Sequence, residues 1–413
     1  MTEGPEVLVI GAGIVGVSAA LNLQRRGLRV TLADRRAPGE GASFGNAGIL
    51  VPGAVTPVPV PGLLGKAPGM LLRGKGPLFL RWPYLPVLLP WLVRYLANGT
   101  DRNVRRIAAA LTPIIGDSLE EHRTLARGTP AEAHIRAQPY RFAYRDRAAF
   151  EADGYSWAIR RAQGIGWREY EGDGVRALEP SLGPDYRFVA ALEAGHGMVD
   201  GPGDYVKALA RSFAAAGGDI LEAAFTGFER AGGRVEGVRF GDRTVRAETI
   251  LVAAGAWSAR VLGPLGLRIP LESERGYHAE LWEPDGGPAQ CVMLSDSKLA
   301  VTPMSGRVRF AGLVEFGGLD AGPRRAPLRA VRAGARAFPG MTWQRETEWL
   351  GHRPAPADSI PYIGAVPAHP NVYTAFGHHH VGLTGGARTG RLVADLIAGA
   401  TPNFDMTPYR VDR

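Results

Sequence analysis

A chain of 413 residues with 45% apolar and 21% charged side chains is long enough for two domains and has the balance of an ordinary soluble globular protein, without repeats or low-complexity tracts. Its one cysteine, Cys291, excludes an intramolecular disulfide and any cluster or zinc site that needs several thiolates. The formal net charge is +8, and residues 61–130 hold ten basic against four acidic residues, so most of the excess is local and is not the spread field of a nucleic-acid binder.

The start, MTEGPEVLVIGAG, places Glu3 and Glu6 before a strand-like run and lacks the basic flank and apolar stretch of an export signal, so the cytoplasm is the expected location. The stretch VLVIGAGIVGVSAALNLQRRGLRVTLAD reads as a buried strand from Val7 to Ile10, a turn with Gly11, Gly13 and Gly16, a helix opened by Ile14 and Val15, and a second strand closed by Asp34. Gly11 makes the turn tight, Gly13 lets the backbone approach a pyrophosphate, and Gly16 lets helix and strand pack closely. An acid at the end of the second strand binds a ribose hydroxyl pair. Arg35 and Arg36 follow it and leave open which dinucleotide is held.

Three later segments point to FAD. GASFGNAGIL, 41–50, offers small and polar residues, Ser43, Asn46, Ala47 and Gly48, to a flat ring system. TILVAAGAWSARVLG, 249–263, is another buried strand ending at Ala254, Gly255 and Ala256, as when a chain leaves a nucleotide domain and returns to clasp a long cofactor. GHHHVGLTGG, 377–386, precedes a helix expected from Thr384 to Ala398. If 377–383 is extended, His378 and His380 face one side and His379 the other; adjacent histidines lack the helical spacing of a zinc pair, so no metal is expected. The expectation is a flavin loop, with His378, His380 and the amides of Val381, Gly382, Leu383 and Thr384 near the ring and the helix start stabilising negative charge there.

Between these lies PLFLRWPYLPVLLPWLVRYL, 77–96, in which Arg81, Arg94 and three prolines make a spanning helix improbable. Two readings stand: a helical part of a substrate domain packed on the core, or a surface resting on anionic lipid at the inner face of the cell membrane. The expected architecture is α/β: a Rossmann-like FAD domain from 1–57, 196–265 and 346–413, interleaved with a mixed-sheet α+β substrate domain from 58–195 and 266–345, with a helical insertion at 58–135.

Taken in order, VIGAGIVGVSAA, GASFGNAGIL, VAAGAWS, ERGYH (274–278), GHRPAPADSIPYIG (351–364) and GHHHVGLTGGARTGRLVADLI (377–397) resemble the D-amino-acid dehydrogenase branch of the amino-acid-oxidising flavoproteins, related to glycine oxidase and D-amino-acid oxidase. The resemblance covers nearly the whole chain. It implies non-covalent FAD and oxidation of a D-amino acid or cyclic imino acid, with ERGYH and the Arg-Pro segment lining the substrate cavity. On that basis Arg353 is expected to bind the carboxylate, its alternative being an ion pair with Asp358. Tyr277, His278 and His380 are expected beside the reacting substrate, and Tyr362 is a weaker candidate. The chain departs from its relatives in two places, with Asp34 where they carry Glu and His379 where they carry Gly.

Hydride transfer from a neutral amine needs positioning more than a dedicated base, and a planar guanidinium matches a carboxylate. The absence of a second dinucleotide fingerprint means that electrons enter from the substrate. They leave to oxygen, a quinone or a protein. Two other functional classes remain at this stage: a flavoprotein acting on modified bases of transfer RNA, against which the apolar setting of the basic excess argues, and the flavin subunit of a multi-subunit amino-acid dehydrogenase.

Overall fold

The computed structural model describes residues 4–62 and 77–413. The strand Val7–Ile10 is buried along its whole length, because parallel neighbours flank it on both sides, helices cover the Val7 and Val9 face, and Leu8 and Ile10 pack with Val235, Val238 and Phe240 of an antiparallel meander. Its sheet has six strands, in the order Asp219–Glu222, Val30–Asp34, Val7–Ile10, Thr249–Val252, His369–Phe376 and Tyr362–Val366, and only the last pair is antiparallel. The helices Ile14–Gln24 and Gly386–Ile397 cross closely over it. A Cβ on Gly390 would fall 2.4 Å from the Ser18 hydroxyl oxygen, so glycine at that point sets the crossing distance.

A second, nine-stranded sheet carries the substrate side. It runs Arg345–Pro356, Leu271–Trp282, Arg307–Phe316, Leu299–Met304, Cys291–Leu294, Tyr140–Tyr144, Phe188–Leu192 and Arg168–Glu171, with Leu78–Leu80 added in parallel to Arg307–Phe316. Two three-stranded sheets complete the fold, one of Ile49–Leu50, Gly197–Val199 and Ile135–Ala137, the other a meander over 225–246.

Two expected boundaries move. Residues 346–356 belong to the second sheet, not to the nucleotide unit, because Arg345–Pro356 pairs along its length with Leu271–Trp282. The helical insertion also divides. The helices Asp101–Ile115 and Ser118–Ala126 bury Val104, Ile107, Leu111 and Leu119 in the same apolar cluster as Val9, Val17 and Leu392 of the nucleotide unit. Only Leu85–Ala97 packs on the substrate side, through Leu88, Trp91 and Tyr95 against Phe316 and Ala355. Among the described residues no helix is long and apolar enough to cross a membrane. Lys66, Arg73 and Lys75 of the basic excess lie outside the described residues.

Candidate functional site

The glycine turn is shaped by contacts that no other residue permits. Gly11 has φ +115, and a Cβ there would meet the Ala253 carbonyl oxygen at 2.4 Å. A Cβ on Gly16 would stand 1.8 Å from the Gly11 oxygen. At Gly13 the nearest atom to such a Cβ is the Ser43 hydroxyl oxygen at 3.4 Å, so the approach to the helix start stays open. Its N-cap, Gly13, has no side chain; the Ile14 amide donates to the Ser43 hydroxyl at 3.0 Å, and the other amides of the first turn present the positive end to a phosphate. Asp34 accepts from the Ala12 amide at 2.7 Å and the Arg36 amide at 3.2 Å, tying the strand end to the turn. Arg35 lies over the Trp257 ring, 4.0 Å from its centroid.

From this turn a cavity of about 1250 Å³ runs to the helix Leu85–Ala97, more than a small ligand alone requires. Of the residues expected to bind FAD, Gly11, Gly13, Ile14, Val15, Asp34, Arg35, Ser43, Asn46, Ala47, Ala254, Gly255, His378, His380, Val381, Gly382, Leu383 and Thr384 line it. Gly16 and Gly48 stand behind the wall: Gly16 packs on Gly11, and Gly48 accepts from the Val199 amide at 2.6 Å.

The 377–386 segment is not extended. His379–Val381 is a short 3-10 turn, and the helix begins at Gly386, two residues beyond Thr384, whose hydroxyl donates instead to the Ile49 carbonyl. His378 is buried against the Thr389 hydroxyl at 2.8 Å, and burial lowers its pKa to about 4. The His380 ring opens onto the cavity; burial among the walls, with His379 beside it, holds its pKa at about 3. Both rings are therefore neutral at pH 7. From behind, His122 ties the loop down, with one ring nitrogen on the Leu383 carbonyl and the other on the Tyr205 hydroxyl, each at 2.8 Å. The amides of Leu383 and Thr384 donate to no carbonyl of the described residues. A helix start met only by the Ser43 hydroxyl, a glycine-cleared approach and these free amides fit a dinucleotide with a reducible ring: the turn and Asp34 would hold its pyrophosphate and ribose, and the 382–384 amides its ring. Among the described residues no cluster of His, Cys, Asp and Glu is arranged for a metal ion.

Facing that loop across the cavity are the first two strands of the large sheet. Glu274 and Arg353 are direct cross-strand partners, as are Gly276 with Gly351 and His278 with Trp349. The glycines clear space for large neighbours, since a Cβ on Gly276 would lie 2.4 Å from the Arg353 guanidinium carbon and one on Gly351 1.8 Å from the Trp349 ring. Arg353 pairs not with Asp358, which is held by Arg413, but with Glu274 at 3.0 Å. It also donates to the Leu313 carbonyl at 2.8 Å and the Gly312 carbonyl at 3.3 Å. These bonds use both hydrogens of one terminal nitrogen and one of the other. Its Nε and the last terminal hydrogen have no protein partner among the described residues.

Glu274 is fully buried between Arg353 and His379, its second oxygen accepting from His379 Nε2. Burial alone would raise its carboxyl, but His379 and Arg353 outweigh this and bring the pKa to about 2. Two expected substrate contacts are placed elsewhere. Tyr277 borders the cavity, yet its hydroxyl donates to Glu315 at 2.6 Å on the far face of the strand. His278 is no part of the cavity wall; it stacks on Trp349 and meets the Gly45 carbonyl at 3.1 Å, fastening the 41–50 loop. Tyr362 is buried under the Arg413 guanidinium. Glu274, Trp349, Tyr95 and His122 went unassigned in the sequence. The only local signal for the first two was a pair of strand glycines, Gly276 and Gly351, with no turn to explain them.

The family model described as FAD dependent oxidoreductase matches residues 6–396. The chain is 39% identical, over an alignment of 421 positions spanning all of both proteins, to a D-amino-acid oxidase of Bradyrhizobium diazoefficiens. It is 34% identical, over 96% of each chain, to a D-amino acid dehydrogenase of Methylobacterium sp. strain 4-46. The solved glycine oxidase of Geobacillus kaustophilus superposes with a TM-score of 0.75 at 22% identity, over 99% of this chain and 98% of that one. The site geometry and these likenesses agree, and the chain belongs to the family of FAD-dependent oxidoreductases.

Proposed function

We propose that the chain oxidises the CH–NH2 or CH–NH group of a D-amino acid or cyclic imino acid, with Arg353 holding the carboxylate. The observation that carries this reading is the half-engaged guanidinium. Glu274 and two carbonyls hold one side of it rigid, while the other side stands unclaimed in the cavity wall opposite the flavin loop. A fork fixed in this way offers two parallel donors to a carboxylate. Relatives named D-amino-acid oxidase and D-amino acid dehydrogenase support the substrate class. FAD, when bound, accepts the hydride that leaves the alpha carbon. The protein's part is to orient the substrate, to present His380 as a neutral ring beside it, and to place the 382–384 amides and a helix start where negative charge accumulates. The imine from a primary amine hydrolyses in water to a 2-oxo acid and ammonia; that from a cyclic imino acid keeps its nitrogen and opens to an amino 2-oxo acid.

Truncating one member of a desolvated pair costs about 2 to 5 kcal/mol, so Arg353→Met should keep flavin yet lose on the order of 30-fold or more in kcat/KM for D-amino acids. Arg353→Lys should recover part of the loss. An amine lacking the carboxylate should be a poor substrate for the natural chain and insensitive to either change; undiminished amino-acid turnover by Arg353→Met would overturn the assignment. A panel of D-amino acids scored in parallel by dye reduction and oxygen uptake separates oxidase from dehydrogenase.

A second reading concerns where the enzyme works. Trp82, Val87, Leu89 and Val93 are all more than half exposed, a concentration of apolar surface on the outer side of Leu85–Ala97. Arg94 stands beside it, which fits a peripheral contact with anionic lipid, whereas Arg81 is turned inward to Glu315 and the Gly322 carbonyl. Flotation with anionic vesicles at low salt should carry the protein upward, and Val87→Ser with Leu89→Ser should release it. No flotation in the natural chain counts against the contact.

A further inference from the structure

Arg353 stands opposite a carboxylate that could close it. Glu274 is its direct cross-strand partner, ionised and buried, and a carboxylate with both oxygens free takes a guanidinium through two parallel bonds. Such an embrace would draw the guanidinium end-on towards Glu274 and turn its free Nε edge away from a substrate. In this protein Glu274 gives Arg353 one oxygen only, and the other is held by His379 Nε2.

The backbone shows that this arrangement is imposed. Five non-glycine residues among those described have positive φ, and two of them converge on Arg353: Leu313 at +61, whose carbonyl accepts from the guanidinium, and His379 at +50, which holds Glu274. A side chain in that region is strained, and strain maintained by its surroundings points to a role for the residue that bears it. His379 is 1% exposed and meets the edge of the Tyr95 ring on one side and His380 on the other, so packing fixes the direction of Nε2.

We propose that His379 is the positioning residue that keeps Arg353 open to substrate, by drawing one oxygen of Glu274 away from the guanidinium. The inference rests on the reading of Arg353 as the carboxylate anchor, and it adds that anchor strength is set by a residue that makes no bond to Arg353 itself. Chains with glycine at this position need another way of holding the glutamate oxygen, so the pair 274/379 distinguishes carboxylate affinity within the fold.

The test compares His379→Gly with His379→Gln in the flavin-loaded protein. Glycine relieves the backbone angle and donates nothing, whereas the Gln amide nitrogen reaches the place of Nε2 and can donate to Glu274. Binding of a 2-oxo acid, measured by calorimetry, and KM for a D-amino acid should each weaken about tenfold in His379→Gly, the equivalent of ~1.4 kcal/mol, while kcat changes by less than about twofold. His379→Gln should restore most of the affinity. Adding Glu274→Gln to His379→Gly should also restore it, since an amide has no charge with which to hold the guanidinium; a purely structural histidine would give further loss. Unchanged 2-oxo acid affinity in His379→Gly overturns the proposal, as does a double variant weaker than the single one. If Arg353→Met binds the 2-oxo acid normally, the anchor reading itself fails; if Arg353→Met loses binding and His379→Gly does not, only the role of His379 falls.

Discussion

The two ends of the cavity are built in different ways. The nucleotide end is made of backbone: Gly11, Gly13 and Gly16 lie within six residues, and what they do follows from the absence of side chains. The substrate end is made of side chains brought together from four distant places, Tyr95, Glu274, Arg353 and His379, each depending on a neighbour for its orientation. A local device tolerates almost no substitution but is simple, whereas a distributed one can be retuned at one position while the rest stands. On the proposed reading, specificity should reside in the large sheet and the turn facing it, and cofactor affinity in the glycine turn.

The sharpest way to break this contrast is at Gly16. Gly16→Val places a Cβ 1.8 Å from the Gly11 carbonyl oxygen, which no side-chain movement relieves. The purified variant should lose essentially all flavin, read from the ratio of visible to ultraviolet absorbance, and with it all turnover. Retention of stoichiometric flavin would mean that the turn is less essential than its geometry implies.

A smaller effect is expected from acid. His122, His278 and His378 are buried and held near pKa 4, 3 and 4, chiefly by burial, against 6.5 for an unperturbed imidazole. The unfolded chain binds more protons than the folded one between pH 6.5 and about 4, so stability should fall as pH drops through that window and change little on their account above it. Thermal melting at half-unit steps measures this. His122→Gln and His378→Gln should flatten the slope; a melting temperature level from pH 7 to pH 4 contradicts it.

Gly351→Ala probes the substrate end more gently. Its methyl would meet the Trp349 ring and push it toward Gly45 and His278, an overpacking of the kind that costs about 1–3 kcal/mol. The denaturant midpoint should fall, and KM should rise more than kcat falls. The least effect is expected at Cys291, which is fully buried in the far part of the large sheet, its thiol raised to about 12 by burial. It should ignore thiol reagents in the native protein, and acid precipitation should release all the flavin into the supernatant. Yellow colour in the washed pellet would reveal a covalent link.

The same contrast explains what could be read in advance. Gly11 to Asp34 could be interpreted directly because strand, turn, helix and acid are contiguous and each has one steric purpose. Arg353 was legible as a type of residue, but its partner was not: Asp358 is five residues away in sequence, while Glu274 becomes adjacent only through antiparallel register. His278 and Tyr277 are successive residues of one strand and point to opposite faces, so both could not serve one cavity. The turn at 379 went unread because a histidine gives no warning of the left-handed backbone it adopts. The boundary at 346 was misplaced because Arg345–Pro356 alternates too weakly to declare its sheet.

The order of strands in the six-stranded sheet has a consequence for biosynthesis. Residues 7–10 leave the ribosome long before their neighbours on one side, 249–252 and then 369–376. Neither sheet can close until residues beyond 345 have been made, and the first strand waits with one edge unpaired until 249–252 arrive. Non-local parallel pairing is slow and leaves apolar edges open to association. Chaperone supply and elongation rate, more than the stability of the finished enzyme, should therefore govern how much active protein a cell accumulates.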